Sequence, residues 1–262
     1  ILFSYPEGGP VSLVADGRQW LWRAPRPAFW RAPTENDLGC GFGADSALWS
    51  AVDAWQKCSD IQILEETPRR LSIRYTYTAP AMPGLETQVT YTVTEDCRME
   101  ACIHYRGAPG RPELPLFGLR FETPQPVDEI TWAGLSGETY PDRKKGGTFG
   151  LHREAPHIPG YLVPQECGCH MDTQELTLHL SGHALTVTKA TAPFAFSALP
   201  YTPHQLTGAH HREELPTPCR TTLTLCAAIR GVGGIDSWGS NVEAPYRVSG
   251  EKDIQFSFLF RL

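Results

Sequence analysis

The sequence lacks long apolar runs and long basic runs, and both absences limit the partners to expect. No apolar stretch approaches the roughly 20 residues that a membrane-spanning helix needs, so we expect no membrane partner. The longest run of lysine and arginine is RKK at 143–145, and the net charge is −6. This balance does not indicate nucleic-acid binding, so neutral small molecules or proteins are the expected partners.

The sequence also lacks a recognisable start. There is no initiator methionine, and the opening ILFSYPEGG has neither the basic residues nor the long apolar stretch of a signal peptide. We interpret the chain as a piece of a longer protein.

Eight cysteines are present, but the sequence contains no Cys-x-x-Cys pair. Metal clusters usually offer two such pairs, so we predict no metal site in this chain. A chain of 262 residues is long enough to fold without disulfides, and the cysteine spacings form no regular framework. We therefore predict reduced thiols in a cytoplasmic protein.

Alternation of apolar and polar residues dominates the sequence and predicts half-buried antiparallel strands. It is clearest at 70–77, 88–94 and 254–260. Further strands are predicted at 98–106, 116–122, 175–180, 184–190, 193–198 and 221–229. Since 24 Gly and 23 Pro punctuate these runs, the pattern is typical of one all-β, many-stranded domain over 1–262. Residues 106–116 are Pro/Gly-rich and are expected to connect two sheets.

Two short helices interrupt this pattern. In 46–56, the residues Leu48, Ala51, Val52 and Trp55 recur at helical spacing and predict one apolar stripe. In 202–216, Thr202 is a candidate N-cap, with Pro203 in the first turn and Gln205 completing a capping box, and Pro216 is the predicted end.

The stretch FWRAPTENDLG at 29–39 brings Glu35, Asn36 and Asp37 together. Two carboxyl groups across a sugar, roughly 5–9.5 Å apart, would serve glycoside hydrolysis. Asn and Asp also bond nearby backbone groups and fix turns, and we favour this second interpretation.

Three other clusters of polar residues or glycines also have a structural and a functional interpretation. His204, His210 and His211, with Glu213 nearby, are interpreted as a solvated helix face because the spacing of metal-binding helices is absent. PQECGCH at 164–170 offers a carboxylate, two thiols and an imidazole, but a turn with an exposed polar tip is favoured over catalysis or metal binding. GVGGIDSWG at 231–239 predicts tight turns anchored by Trp238.

These stretches, in order, resemble one family. FWRAPTENDLG, WAGLSGETYPDR at 132–143, YLVPQE at 161–166, FSALPYTPHQLTGAHHREELP at 196–216 and GVGGIDSWG are similar to the C-terminal, small-chain region of bacterial β-galactosidases of glycoside hydrolase family 2. The resemblance runs from about residue 10 to the end. It implies a large antiparallel β-supersandwich, similar to galactose mutarotase, and places the catalytic glutamates on a (β/α)8 barrel outside this chain.

The resemblance also implies the roles of this region. No residue here is expected to be catalytic, and the candidate substrate-binding residues are Asn36, Asp37, Glu166, His170 and Thr222. The implied partners are a β-galactoside, the enzyme's own catalytic barrel and further copies in a homo-oligomer. No cofactor is expected in this chain, and any Mg²⁺ or Na⁺ would lie on other domains.

The sequence departs from the family at two loops. Thr222 stands where one well-known member has Trp, and Cys167, Gly168, Cys169 and His170 replace the usual residues after PQE. We expect these changes to alter substrate preference while leaving the fold intact.

Two alternatives remain open at this point. A stand-alone aldose mutarotase would need a general acid and base, for which His170 and Glu166 are the only candidates. A carbohydrate-binding module would need no chemistry at all.

Overall fold

Antiparallel strands form the body of the protein, and the computed structural model describes residues 1–262. With strands numbered in chain order, two short ladders pair β1 (Leu2–Ser4) with β2 (Gly9–Ser12) and β3 (Val14–Ala15) with β4 (Arg18–Gln19). A five-stranded sheet contains β5 (Arg26–Ala28), β10 (Leu116–Glu122), β13 (Cys169–Thr173), β16 (Phe194–Leu199) and β17 (Thr222–Ile229). A nine-stranded sheet contains β6 (Lys57–Thr67), β7 (Arg70–Thr78), β8 (Glu86–Thr94), β9 (Arg98–Tyr105), β11 (Glu129–Leu135), β12 (Phe149–Glu154), β14 (Glu175–Leu180), β15 (His183–Lys189) and β18 (Ile254–Arg261).

The two sheets pack face to face over one large core. The smaller sheet has the strand order β13-β16-β17-β10-β5, and the larger has β12-β11-β14-β15-β18-β9-β8-β7-β6. A cluster of 39 buried apolar residues, from Leu13 to Phe260, fills the space between them. The alternation in the sequence produces this arrangement, because every second side chain of a strand points to the same face.

The predicted all-β supersandwich is confirmed. The strands predicted at 116–122 and 175–180 have the observed bounds. The strand predicted at 184–190 is observed one residue earlier at both ends, and the strand predicted at 221–229 begins one residue later. Residues 106–115 connect β9 of the larger sheet to β10 of the smaller one, as predicted for a connection between sheets. None of the helices combines the length and apolarity needed to cross a membrane.

Four short α-helices decorate the sheets where two were predicted. They are α1 (Glu35–Gly39), α2 (Phe42–Asp45), α3 (Ala47–Trp55) and α4 (Pro203–Gly208), with 3-10 turns at Arg212–Glu214 and Ala244–Tyr246. The helix predicted at 46–56 is confirmed as α3, but its predicted apolar stripe is only partly buried, with Val52 in the core and two of its four members in solvent. Leu48 and Trp55 are exposed, whereas Trp49 stacks on Phe29 with ring centroids 5.3 Å apart.

The second predicted helix begins as expected and ends early. Thr202 and Gln205 form the capping box, and Pro203 occupies the first turn. The helix stops at Gly208, so His210 and Glu213 do not share a helix. His210 instead donates its backbone N–H to Glu214 at 2.8 Å, which fixes a separate turn.

Candidate functional site

A buried ion pair organises one end of the five-stranded sheet. Arg31 follows β5, and its Nη2 donates to both carboxylate oxygens of Asp37, at 3.0 and 2.9 Å, and to the carbonyl of Gly231 at 2.9 Å. Both side chains are almost completely buried. Although burial alone lowers the pKa of Arg31, the negative charges of Asp37 and Glu166 raise it overall, so the guanidinium stays charged.

Asp37 also builds the helix on which it lies. Its Oδ2 accepts the backbone N–H of Thr34 at 3.0 Å, and its own N–H donates to Thr34 Oγ1 at 3.1 Å. This is a capping box, which satisfies two otherwise unpaired donors at the start of α1. The prediction that local backbone bonds fix this stretch is confirmed, and the carboxylate is fully occupied by them and by Arg31.

Two neighbouring loops are tied to α1. Asn36 Nδ2 donates to the carbonyl of Val232 at 3.0 Å, and Gln165 Oε1 accepts the backbone N–H of Glu35 at 3.1 Å. A surface cavity of about 450 Å³ lies between α1 and residues 161–165, lined by Glu35, Asn36, Tyr161, Leu162, Val163 and Gln165. Asn36 is exposed, so its amide can reach a ligand in this cavity.

Glu166 lies beneath this surface and is only 7% exposed. Burial raises the pKa of its carboxyl group to about 7, and the positive charges of Arg31 and Arg120 lower it only in part. Tyr140 Oη donates a hydrogen bond to Oε1 of Glu166 at 3.5 Å. Arg31 Nε and Nη1 have no hydrogen-bond partner, so this interior holds unused donors beside a carboxyl group that titrates near neutrality.

The prediction of an exposed polar tip at 164–170 is therefore wrong. Cys167, Cys169 and His170 are buried together with Glu166. The reason is that Cys167 packs with Ala32, Leu199 and Leu206 over the outer face of the smaller sheet, and Cys169 begins β13 within it. All eight cysteines are free thiols in the structure.

His170 is a packed core residue that is 2% exposed. Its ring lies 4.2 Å from that of Trp132 and 4.9 Å from that of Phe196, measured between centroids. Nδ1 bonds the Gly137 carbonyl at 2.9 Å, and Nε2 bonds Glu154 Oε1 at 3.1 Å. Both ring nitrogens are thus occupied, and the acid–base pair of His170 with Glu166 that a mutarotase would need is not assembled.

Thr222 lies at the opposite end of β17 from the site. It is buried and pairs with Leu199 and Glu122. The seven residue steps from Thr222 to Ile229 span about 24 Å at the usual rise of a strand. Of the five candidate substrate-binding residues, Asp37 binds Arg31, Glu166 is close enough for its charge to act on Arg31, and Asn36 lies next to Asp37 at the surface. His170 is packed elsewhere in the interior, and Thr222 is remote.

The glycine loop after β17 turns tightly, as predicted. Gly233 and Gly234 have φ of 66° and 72°, a region that favours glycine. Asp142 accepts the backbone N–H groups of Val232 at 3.0 Å and Gly233 at 2.8 Å. The predicted anchoring role of Trp238 is wrong, because its side chain is 91% exposed.

Sequence reasoning missed Arg31 and Asp142 as the residues that organise this end of the sheet. Both stand inside the motifs quoted above, Arg31 directly after Phe29-Trp30 and Asp142 in YPDR. A charged residue inside an otherwise apolar or proline-rich motif was the available signal, since buried charges need dedicated partners.

A second buried carboxylate lies beside a separate cavity of about 300 Å³ that includes Arg26, Arg120 and His204 in its lining. Asp53 accepts hydrogen bonds from Arg120 Nη1, at 3.0 and 2.8 Å, and lies 3.0 Å from His204 Nε2. Burial alone would raise the pKa of Asp53, but Arg120 and the His204 hydrogen bond lower it overall, so this carboxylate is not a proton donor near neutral pH. No three His, Cys, Asp or Glu side chains come together in a way that could hold a metal ion.

Comparison with known proteins identifies the family. Residues 1–260 match the family model described as beta galactosidase small chain. The chain is 40% identical to the β-galactosidase small subunit of Latilactobacillus sakei, over 98% of this chain and 91% of that protein. It is 32% identical to the β-galactosidases of Halalkalibacterium halodurans and Streptococcus thermophilus, of which it spans only 26%.

Among solved structures, a galactose mutarotase-like protein from Lactobacillus casei matches 99% of this chain and 95% of its own, at 10% identity and a TM-score of 0.47. A galactose mutarotase related enzyme from Lactobacillus acidophilus matches with the same TM-score at 8% identity. Because the family model matches nearly every residue, this chain belongs to the β-galactosidase small chain family.

Proposed function

We propose that this chain completes a β-galactosidase of glycoside hydrolase family 2 by docking on a large catalytic chain. The enzyme would hydrolyse terminal β-galactosides, with the acid and the nucleophile supplied by the catalytic chain. Two relations support this proposal. One relative, of which this chain covers 91%, is named a small subunit, and others carry the matching region as about a quarter of a longer β-galactosidase.

The observation that carries the division of labour is that the cavity beside Asn36 is lined by a single carboxylate, that of Glu35, while the other carboxyl groups of the neighbourhood are occupied or lie outside its lining. Glycoside hydrolysis needs two carboxyl groups facing one sugar, one of them free to donate a proton. Asp37 is held by Arg31 and Thr34, and Asp53 by Arg120 and His204. Glu166 keeps a raised pKa but does not line the cavity beside Asn36, so it cannot face a sugar there.

The contribution of this chain to substrate binding would be positional. Asn36 is exposed at the cavity and would orient sugar hydroxyls through hydrogen bonds. Asp37 would act indirectly, because its ion pair with Arg31 holds α1 in place. Glu166 would also act indirectly, from the buried interior that supports α1. Cys167, Cys169, His170 and Thr222, where the sequence departs from the family, are buried. Any effect of these changes on the preferred aglycone is therefore proposed to be indirect, through packing.

Further properties of the complete enzyme belong to the same proposal. Any Mg²⁺ or Na⁺ would be held by the catalytic chain, and the enzyme would be a cytoplasmic homo-oligomer. The test is reconstitution. The purified chain and the β-galactosidase catalytic chain of the same source are assayed separately and together on an aryl β-galactoside. Turnover that requires the mixture supports the proposal, and turnover by this chain alone contradicts it.

Polarimetry on freshly dissolved α-galactose provides the control for the mutarotase alternative. Because His170 is buried and bonded to Glu154, we expect no acceleration of mutarotation by the purified chain. Acceleration that disappears in His170→Gln would reinstate that alternative.

A further inference from the structure

The cavity beside Asp53 is separate from the one beside Asn36, and the two share no lining residue. We call it the arginine cavity, because Arg23, Arg26 and Arg120 all line its volume of about 300 Å³. Three guanidinium groups around one small cavity need anions nearby, since like charges repel one another at short range.

Arg26 and Arg120 are direct neighbours across two strands. β5 pairs with β10 so that Arg26 lies opposite Arg120. Leu119 and Phe121, on either side of Arg120, belong to the core, so both arginines point to the outer face of the five-stranded sheet. Like charges directly opposite one another on a sheet are destabilising. The pair therefore needs anions on the same face.

The two carboxylates of the arginine cavity are already engaged with the other two arginines. Asp53 accepts hydrogen bonds from Arg120 Nη1 at 3.0 and 2.8 Å. Glu122 Oε1 lies 2.6 Å from Arg23 Nη2. Arg26 is half-buried and has neither an ion pair nor a side-chain hydrogen bond. Its guanidinium is thus the positive group of the cavity that lacks a partner.

The balance of charge selects the kind of anion. With three arginines against two carboxylates, the lining of the arginine cavity has one excess positive charge. A carboxylate neutralises one charge and fits the planar fork of a guanidinium through two parallel hydrogen bonds. A phosphate ester, with close to two negative charges at neutral pH, would exceed the charge available.

His204 indicates what else the ligand contains. Its side chain lines the cavity and is 37% exposed, and its Nε2 lies 3.0 Å from Asp53 Oδ2. A neutral imidazole that donates from Nε2 to a carboxylate keeps Nδ1 as an acceptor, which suits a ligand hydroxyl group. Most of the other lining residues are also polar or charged. A polar cavity of this volume is at the small end of the range for small-molecule sites, about 300–1,000 Å³.

We propose that the arginine cavity binds a small polyhydroxylated carboxylic acid, such as a sugar acid. The ligand carboxylate binds the guanidinium of Arg26, and a ligand hydroxyl group donates to Nδ1 of His204. The inference does not depend on the proposed function, because every residue that it uses lies in this chain and its test needs no catalytic chain.

The experiment uses three probes that share a polyol backbone and differ in one terminal group. D-gluconate has a carboxylate, sorbitol has a hydroxymethyl group, and sorbitol 6-phosphate has a phosphate ester. Isothermal titration calorimetry measures the Kd of each probe at one fixed ionic strength, because salt screens charge.

The variants compare two half-buried arginines without ion pairs. Arg26→Gln removes the proposed carboxylate-binding group. Arg18→Gln is the matched control, since Arg18 lies on β4 and does not line the cavity. Arg26→Lys keeps the charge but loses the planar fork, so its Kd should fall between those of wild type and Arg26→Gln.

We expect wild type to bind gluconate at least about tenfold more tightly than sorbitol, because the carboxylate makes a charge-assisted hydrogen bond. Arg26→Gln should raise the Kd for gluconate at least about tenfold, which corresponds to about 1.4 kcal/mol. Arg18→Gln should leave this Kd within about twofold, because solvent and salt screen a charge outside the cavity. In thermal unfolding, Arg26→Gln should be no less stable than wild type, since it removes the repulsion between Arg26 and Arg120.

Four outcomes would overturn the inference. Equal affinity for sorbitol would show that the carboxylate is not recognised, and tighter binding of sorbitol 6-phosphate would assign a phosphate ester instead. Unchanged gluconate binding by Arg26→Gln would place the ligand elsewhere on the chain. Absence of gluconate binding by wild type at millimolar concentrations would contradict the site itself. None of these results bears on reconstitution of β-galactosidase activity, so the proposed function is tested separately.

Discussion

Glu166 gives the sharpest quantitative prediction, because its carboxyl group has a different proton affinity in the folded and unfolded chain. Burial raises its pKa from 4.5 to about 7. Between these pH values the folded state binds more protons than the unfolded state, so this group's contribution to the free energy of unfolding falls as pH rises. The decrease is complete just above pH 7. At about 1.36 kcal/mol for each pKa unit, it amounts to ~3 kcal/mol.

Glu166→Gln keeps the shape of the side chain and removes its titration. Relative to wild type, the variant should therefore gain ~3 kcal/mol of stability between pH 4.5 and pH 8, as the wild-type carboxyl group is forced to ionise in the interior. The assay is urea unfolding followed by tryptophan fluorescence at closely spaced pH values. The quantity compared is the difference in the free energy of unfolding between variant and wild type.

Glu154→Gln is the matched control with the opposite sign. Burial alone would raise the pKa of Glu154, but its hydrogen bond to His170 lowers it overall. Because the pKa of Glu154 is lowered in the folded state, its ionised carboxylate stabilises wild type above the ordinary pKa, and this stabilisation is lost as pH falls. Glu154→Gln lacks this contribution, so its stability relative to wild type should decrease as pH rises. If the difference for Glu166→Gln is constant from pH 4.5 to 8, Glu166 ionises normally and its buried position is wrong.

Three further substitutions test the framework of the site and the fold. Asp37→Ala leaves Arg31 buried without its anion and should cost about 3–5 kcal/mol in urea unfolding, and a loss below about 1 kcal/mol would show that the pair is open to water. Thr202→Ala removes the cap of α4 and should cost about 1 kcal/mol in thermal unfolding, whereas an unchanged midpoint would show that the cap does not form. Gly118→Ala places a Cβ 2.1 Å from the Leu225 carbonyl oxygen. It should cost about 3 kcal/mol, and wild-type stability would contradict the close pairing of β10 with β17.

The strands were predictable because their cause is local. Alternation along 175–180 reports which side chains face the core, and the turn residues on each side report where the strand ends. The sequence cannot report which sheet a strand joins. β18, the last strand, lies between β15 and β9, and this placement depends on contacts far apart in the chain.

The orientation of α3 shows why a local pattern can mislead. The apolar spacing predicted that Leu48 and Trp55 face inward, but Asp53 lies in the interior instead. Its partner Arg120 is 67 residues away, and its carboxylate also accepts the backbone N–H groups of Phe29 and Trp30. This long-range polar network thus fixes the rotation of α3 about its own axis. The spacing of apolar residues along the sequence does not reveal such a network.

The candidate site was predictable only in part for the same reason. The capping box of Thr34 and Asp37 is local and readable, whereas the burial of Glu166 and His170 depends on Arg31, Gly137 and Glu154. The polar residues of this short segment therefore predict an exposed turn. Their interior partners become apparent only when the two sheets are assembled.

Reconstitution with the catalytic chain tests the central claim most directly. The account predicts that this chain alone does not hydrolyse an aryl β-galactoside and that turnover appears on mixing, saturating at one copy per catalytic chain. Hydrolysis by the isolated chain that is lost in Glu35→Gln or Glu166→Gln would contradict the account, because the catalytic carboxyl groups would then lie within these 262 residues.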